Sequence, residues 1–182
     1  MVQSIQAILE SCISQLSSNS SSYVVQPDKD FTRSRKCSFQ QMVSAILNMG
    51  GQTLSKELIN QDFPISKAAA FVQNRYKIKA RAFQDLFKNF TQAVLPKTEL
   101  PILAVDGSDI HIPVIPEDTA SHFPSKSGGK AYNLLHLNAL FDLESELYCD
   151  ALVQKRRDFD ERQALIEMME NSPFRTSTHC GR

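Results

Sequence analysis

Residues 100–113 read LPILAVDGSDIHIP, and the division of the chain turns on this stretch. Ile102, Leu103, Ala104 and Val105 run without interruption into Asp106, Gly107, Ser108 and Asp109. A short apolar run bounded by turn-forming residues is the pattern of a fully buried strand, here one that delivers a carboxylate at its C-terminal tip. Open α/β sheets hold their chemistry at such tips. Ahead of the stretch the sequence has helical periodicity and a basic balance. Behind it come strand, strand, helix and an acidic balance.

The charge asymmetry is hidden in a net charge of zero over 182 residues. Residues 29–97 hold 12 Lys and Arg against 4 Asp and Glu, whereas residues 98–182 hold 8 against 14. A basic half suits contact with a polyanion, and an acidic half suits cations or solubility. With 42% apolar and 22% charged residues the composition is that of a soluble globular protein of one or two domains. No run approaches the roughly 18 apolar residues of a membrane span, and Glu10 interrupts the only apolar stretch near the N-terminus. Cys12, Cys37, Cys149 and Cys180 lie far apart, with no Cys-x-x-Cys pair and no histidine at ligand spacing, which argues against zinc and for reduced thiols in the cytoplasm.

Residues 1–30 are expected to hold one amphipathic helix, with Ile5, Ile8, Leu9, Cys12, Ile13 and Leu16 on its apolar side, followed by a flexible linker at the serine-rich residues 17–22. Residues 31–97 read as four short helices. In the first, Phe39, Met42, Val43, Ile46 and Leu47 follow the 3.6-residue period behind Ser38 as N-cap, and Gly50 and Gly51 stop it. Thr53 caps the second, carrying Leu54, Leu58 and Ile59; Ser66 starts the third, with Ala68, Phe71, Val72 and Arg75 on one face. The fourth buries Phe83, Leu86, Phe87 and Phe90, and Pro96 closes the region.

Beyond Asp106, residues 116–130 read as a long surface loop. Leu135, Leu137, Ala139 and Phe141 alternate with their neighbours in a strand, and residues 147–153 form a second strand after the acidic turn 142–146, giving an antiparallel hairpin. A final helix begins near Asp160, with Ala164, Leu165, Met168 and Met169 on one side and Asp158 or Asp160 as its cap.

AVDGSD at residues 104–109, KAYNLLHLNALFD at 130–142, the YCDALVQ strand and the DERQALIEMM helix, in that order behind LNMGGQTLSKEL and KAAAFVQNRYKI, resemble the DDE transposases of bacterial insertion sequences, specifically insertion-sequence family four. The resemblance covers residues 31 to about 171. It implies an α+β chain: a helical, helix-turn-helix-like DNA-binding domain at 31–97, then an incomplete ribonuclease-H-like domain at 98–182. It further implies three carboxylates, Asp, Asp and Glu, holding two divalent cations, Mg²⁺ or Mn²⁺, for phosphodiester cleavage and joining, a chemistry that needs several hard oxygen ligands around paired ions. Asp106 matches the first carboxylate and is the expected catalytic and metal-binding residue. Asp109 reads as a turn or loop carboxylate ahead of a metal ligand.

The chain departs from the family pattern after residue 171. The tail NSPFRTSTHCGR holds neither an apolar run nor a carboxylate, and Asp142 and Asp150 read as hairpin residues, so the second Asp and the Glu have no position here. A truncated, frameshifted reading frame with only weak Mg²⁺ affinity is the expectation. The expected partners are double-stranded DNA at the element ends and, as oligomer, the chain itself or an intact transposase, with no membrane. Lys67, Gln73, Asn74, Arg75, Lys77, Lys79 and Arg81 cluster on and after the third helix, where a helix-turn-helix unit faces a groove, and Arg, Asn and Gln are suited to bidentate base contacts. A solvated charged face is the alternative, with Arg75 lying across the apolar side. Arg33, Arg35 and Lys36 serve phosphate contact or solubility equally well. A Gly-x-Ser-x-Gly nucleophile motif and a complete P-loop are both absent, and the histidines form no pattern. An inactive transposase fragment therefore competes with a non-catalytic DNA-binding regulator of transposition and with a decaying reading frame.

Overall fold

A computed structural model describes residues 4–32, 37–64, 67–95, 102–125 and 128–171. The expected helix start at Ser66, the cluster Arg33, Arg35 and Lys36, the closing Pro96 and the tail 172–182 lie outside these residues. The chain is α+β, with helices and a four-stranded antiparallel sheet. It divides into two units, Met1–Ala93 and Val94–Arg182. No described helix is long and apolar enough to cross a membrane.

In the first unit, helix α1 (Ile5–Ser18) is capped by Ser4, whose hydroxyl accepts the Ala7 N–H at 3.2 Å. The serine-rich residues 17–22 are helical rather than a linker: α1 runs through Ser18, and a further turn, α2 (Ser20–Tyr23), follows Asn19. Packing overrides the modest helix propensity of serine, because Cys12, Ile13 and Leu16 on one side of the run and Val24 on the other are buried in the same core. Val24 bridges Ile78 in antiparallel fashion, with Val25 N to Lys77 O at 2.9 Å and Lys79 N to Tyr23 O at 2.8 Å.

Helix α3 (Phe39–Leu47) opens on a capping box: the Ser38 hydroxyl accepts the Gln41 N–H, and the Gln41 side chain accepts the Ser38 N–H. Phe39, Met42, Val43 and Ala45 are buried, while Leu47, at the last position, is exposed. The following Gly50-Gly51-Gln52 turn is held by Glu57, a buried carboxylate accepting the N–H groups of Gly50 at 2.9 Å and Gln52 at 2.7 Å. Gly51 has φ +85°, a conformation that glycine adopts without strain. Helices α4 (Leu54–Asn60), α5 (Ala68–Arg75) and α6 (Arg81–Val94) complete the core with Leu58, Phe71, Ala82 and Leu86; Phe83 and Phe90 are half-buried against it.

In the second unit, β1 (Leu103–Ile112) pairs with β3 (Tyr132–Asp142), which pairs on its other side with β4 (Leu147–Lys155) and with the two-residue β2 (His122–Phe123). The hairpin of β3 and β4 is the expected one. The stretch at 102–106 departs from expectation in two ways. Asp106 does not end its strand: β1 continues to Ile112, because β3 supplies backbone partners from Asp142 opposite Leu103 to Asn133 opposite Ile112. The strand is also not fully buried, since β1 has a strand neighbour on one side only among the described residues, and Ile102 and Val105 are 55% and 41% exposed. The expected loop at 116–130 contains β2, whose Phe123 lies opposite Tyr132.

Helix α7 (Glu161–Asn171) starts at Asp160, whose carboxylate accepts the N–H groups of Arg162 and Gln163 at 3.0 and 3.1 Å. Ala164 and Met168 are buried, whereas Met169, expected beside them, is 41% exposed. Met168 packs with Leu140 and Cys149, flanked by Leu95, Leu103, Leu152 and Leu165, a core far smaller than that of the first unit.

Candidate functional site

Strand alternation assigns each carboxylate of the sheet to a face. Leu103, Val105, Gly107, Asp109 and His111 lie opposite Asp142, Leu140, Asn138, His136 and Leu134, and Leu140 packs against α7. Asp106 belongs to the other face, opposite Ala139, which is in turn opposite Ala151. Its carboxylate is exposed and accepts the N–H of Gly107 at 2.9 Å. Asp106 and Asp109 therefore point to opposite sides of the sheet and share no ion. No group of three or more His, Cys, Asp or Glu able to hold a metal ion occurs among the described residues, so these residues do not make the two-ion site that the resemblance implies.

Asp109 is neither a turn nor a loop residue. It accepts the His136 Nδ1 at 2.8 Å and the Arg156 Nε at 2.9 Å, and the Glu161 carboxylate lies 3.3 Å from His136 Nε2. His136 is buried between these groups and the Phe159 ring, 4.7 Å away, over which the Arg156 guanidinium lies at 3.9 Å. Gly107 makes room for the imidazole: a Cβ there would stand 2.5 Å from His136 Nε2. This cluster joins β1, β3, the β4–α7 connection and the start of α7. The sequence carried no sign of it, because residues 109 and 136 meet only through the β1–β3 register.

A second polar group secures the segment before β3. Asn133, fully buried, accepts the Ile115 N–H at 2.9 Å and the His122 Nδ1 at 3.0 Å, and donates to the Ile115 carbonyl at 3.0 Å and the Ser121 hydroxyl at 2.8 Å. Ser121 donates to Asp118, which pairs with Lys155 at 2.7 Å. Asp142 caps the turn between β3 and β4, accepting from the Ser145 hydroxyl at 2.6 Å and from the N–H groups of Glu144 and Ser145.

These hydrogen bonds hold three carboxyls below the usual aspartate range: Asp109 through His136 and then Arg156, Asp118 through Lys155 and then Ser121, and Asp142 chiefly through Ser145. A folded-state pKa below the unfolded one gives stability that is fully present above the unfolded value and is lost as pH falls through the folded one. The sheet unit is accordingly expected to lose stability below about pH 4. Urea titrations from pH 7 to pH 2.5 check this; Asp142→Asn is expected to be less stable at pH 7 and less sensitive to acid. Burial pushes the Cys37 and Cys149 thiols up to about 11, which leaves both protonated and unreactive at neutral pH.

In the first unit the predicted DNA-facing residues divide into two sets. Lys67, at the N-cap of α5, and Gln73 are exposed. Arg75 is also exposed, its guanidinium 5.5 Å from the ring centre of Tyr76, so it does not lie across the apolar face. The others make contacts within the chain. Asn74 donates to the Ala70 carbonyl at 3.0 Å and accepts from Lys77 at 2.8 Å, and the Lys77 ammonium stands 5.9 Å from the Phe31 ring. Lys79 donates to the Ser22 carbonyl at 3.2 Å, and Arg81 pairs with Asp85 at 3.3 Å, an aspartate that also accepts from Tyr23. Lys77 and Lys79 thus flank the bridge between Ile78 and Val24 rather than extending a recognition helix. The connection from α4 to α5, residues 61–67, is longer than the turn of about 3–4 residues in a helix-turn-helix unit. No known family model matches the chain, nor does any curated protein or solved structure.

Proposed function

We propose that the chain is part of a DNA transposase of the DDE type, working on element ends in the bacterial cytoplasm, with the helical unit as its duplex-binding part and the sheet unit as the front of a ribonuclease-H-like domain. The observation that carries this reading is topological. An antiparallel run of β1, β3 and β4 precedes a helix packed on one face, and β1, the strand bearing Asp106, has among the described residues a free edge where a further strand would pair. The basic balance of residues 29–97 and the exposed Lys67, Gln73 and Arg75 support DNA contact by the helical unit.

A second reading, DNA occupancy without cleavage, is favoured because Asp106 belongs to no metal-holding group of His, Cys, Asp or Glu among the described residues. Mg²⁺ needs near-octahedral oxygen ligation, which one carboxylate does not supply. The full chain is therefore expected to retard a labelled duplex on a native gel at low salt and to release no nicked product with Mg²⁺ or Mn²⁺, with Asp106→Asn behaving like the wild type. A folded chain that leaves the duplex unshifted would remove the DNA-binding part of the proposal. Nicking that Asp106→Asn abolishes would remove the non-catalytic reading.

A further inference from the structure

One end of the sheet carries a row of rings that neither the cleavage reading nor the helical surface uses. His111 on β1, Tyr132 on β3 and Phe123 on β2 lie side by side: His111 and Tyr132 have centroids 5.7 Å apart, and Tyr132 and Phe123 stack at 5.2 Å with only 12° between their planes. Register puts all three on the face that His136 shares. Helix α7 begins at Glu161, beside His136, so it covers the sheet toward Leu140 and leaves the end bearing this row. His111 is exposed, and Tyr132 is 39% exposed. The Arg157 guanidinium lies 5.0 Å from the Phe123 centroid, oriented by its Nε bond to the His122 carbonyl at 3.0 Å. Among the described residues Arg157 and the exposed Lys130 have no carboxylate partner.

Cross-strand aromatic pairs strengthen a sheet, and a pair closed off from water would need no other account. Here His111 and Tyr132 remain open to solvent on adjacent strands, and Arg157, with no carboxylate partner among the described residues, stands at the Phe123 end of the row. Solvent-facing aromatics beside Arg and Lys are how proteins hold unpaired bases: each base offers a π-face for stacking, and the cations meet the phosphates. We propose that His111, Tyr132 and Phe123, with Arg157 over Phe123 and Lys130 two residues ahead of Tyr132 in the chain, form a stacking platform for the bases of a single-stranded nucleic acid. The proposal stands on this geometry and does not require Asp106 to take part in cleavage.

Fluorescence anisotropy of the full chain with labelled 12-nucleotide oligo-dT and oligo-U at low salt tests it. Binding of at least one oligonucleotide is expected, and the preferred one identifies the strand as DNA or RNA. Tyr132→Leu, which keeps apolar bulk but removes the stacking face, is expected to weaken binding about tenfold or more without changing its salt dependence. Arg157→Gln is expected to flatten the salt dependence by about 0.7, the loss of one phosphate contact on a single strand. If Tyr132→Leu fails to fold, the exposed His111→Ala serves in its place, with about fivefold weakening expected. A folded Tyr132→Leu or His111→Ala chain with unchanged affinity overturns the proposal, as does a folded wild type that binds neither oligonucleotide. A chain that shifts duplex but neither single strand keeps the duplex-binding reading and loses this one.

Discussion

Phe71→Ala is expected to cost the helical unit about 3–5 kcal/mol, the range for truncating a fully buried aromatic. Phe71 is completely buried, meets the Phe63 ring edge-on at 5.4 Å and belongs to the core that α1, α3, α4 and α6 share. The eight-residue α5 has few other means of attachment, since Phe71 is its one fully buried residue. A domain of this size is stable by about 5–15 kcal/mol, so the loss takes a large part of the total. Urea unfolding followed by helical circular dichroism measures it, and a cost below about 1 kcal/mol would mean that α5 is held by something other than this contact.

Asn133→Ala is expected to be the most damaging polar substitution in the sheet unit, at about 3 kcal/mol. The cost comes less from the four hydrogen bonds lost than from what they leave behind. The N–H and carbonyl of Ile115 both lose the partner that Asn133 supplies, and so does the buried Ser121 hydroxyl. Valine is expected to do no better, because it fills the volume without meeting those groups. Hydrogen exchange at the Ile115 amide provides the local check: protection lost in the variant supports the assignment, and protection retained contradicts it.

What the sequence made legible was local. The α3 cap needs only Ser38 and Gln41 three residues apart, and the β3–β4 hairpin needs only alternation around an acidic turn, so both were readable. The extent of β1 was not, because Gly107, Ser108 and Asp109 read as a breaker until β3 is known to run alongside them to Asn133. The same holds for the serine run: its helicity depends on Leu16 and Val24 entering a core formed by residues far along the chain. Asp106 was identified as a residue of interest from its neighbours, but its isolation is a matter of sheet parity, and the contact of Asp109 with His136 and Arg156 spans three separate elements. The basic cluster was visible as composition. That Lys79 is tied to Ser22 and Arg81 to Asp85 was not, since a charge run gives no sign of which cations find intramolecular partners.

Among the described residues, the sheet unit's free β1 edge and small core, against the larger core of the helices, place the more secure structure in the part proposed to meet DNA. Exposed apolar edges also invite association between copies, so binding is best measured at low protein concentration. The most direct test is the salt dependence of duplex binding by the full chain. If Lys67 and Arg75, both exposed, meet about two phosphates, the logarithm of the association constant is expected to fall against the logarithm of salt concentration with a slope of roughly −2. Lys67→Ala combined with Arg75→Ala is expected to remove most of that slope while the helical signal is kept. A salt-insensitive interaction, or an unchanged slope in the folded double variant, would contradict the assignment of this surface to DNA.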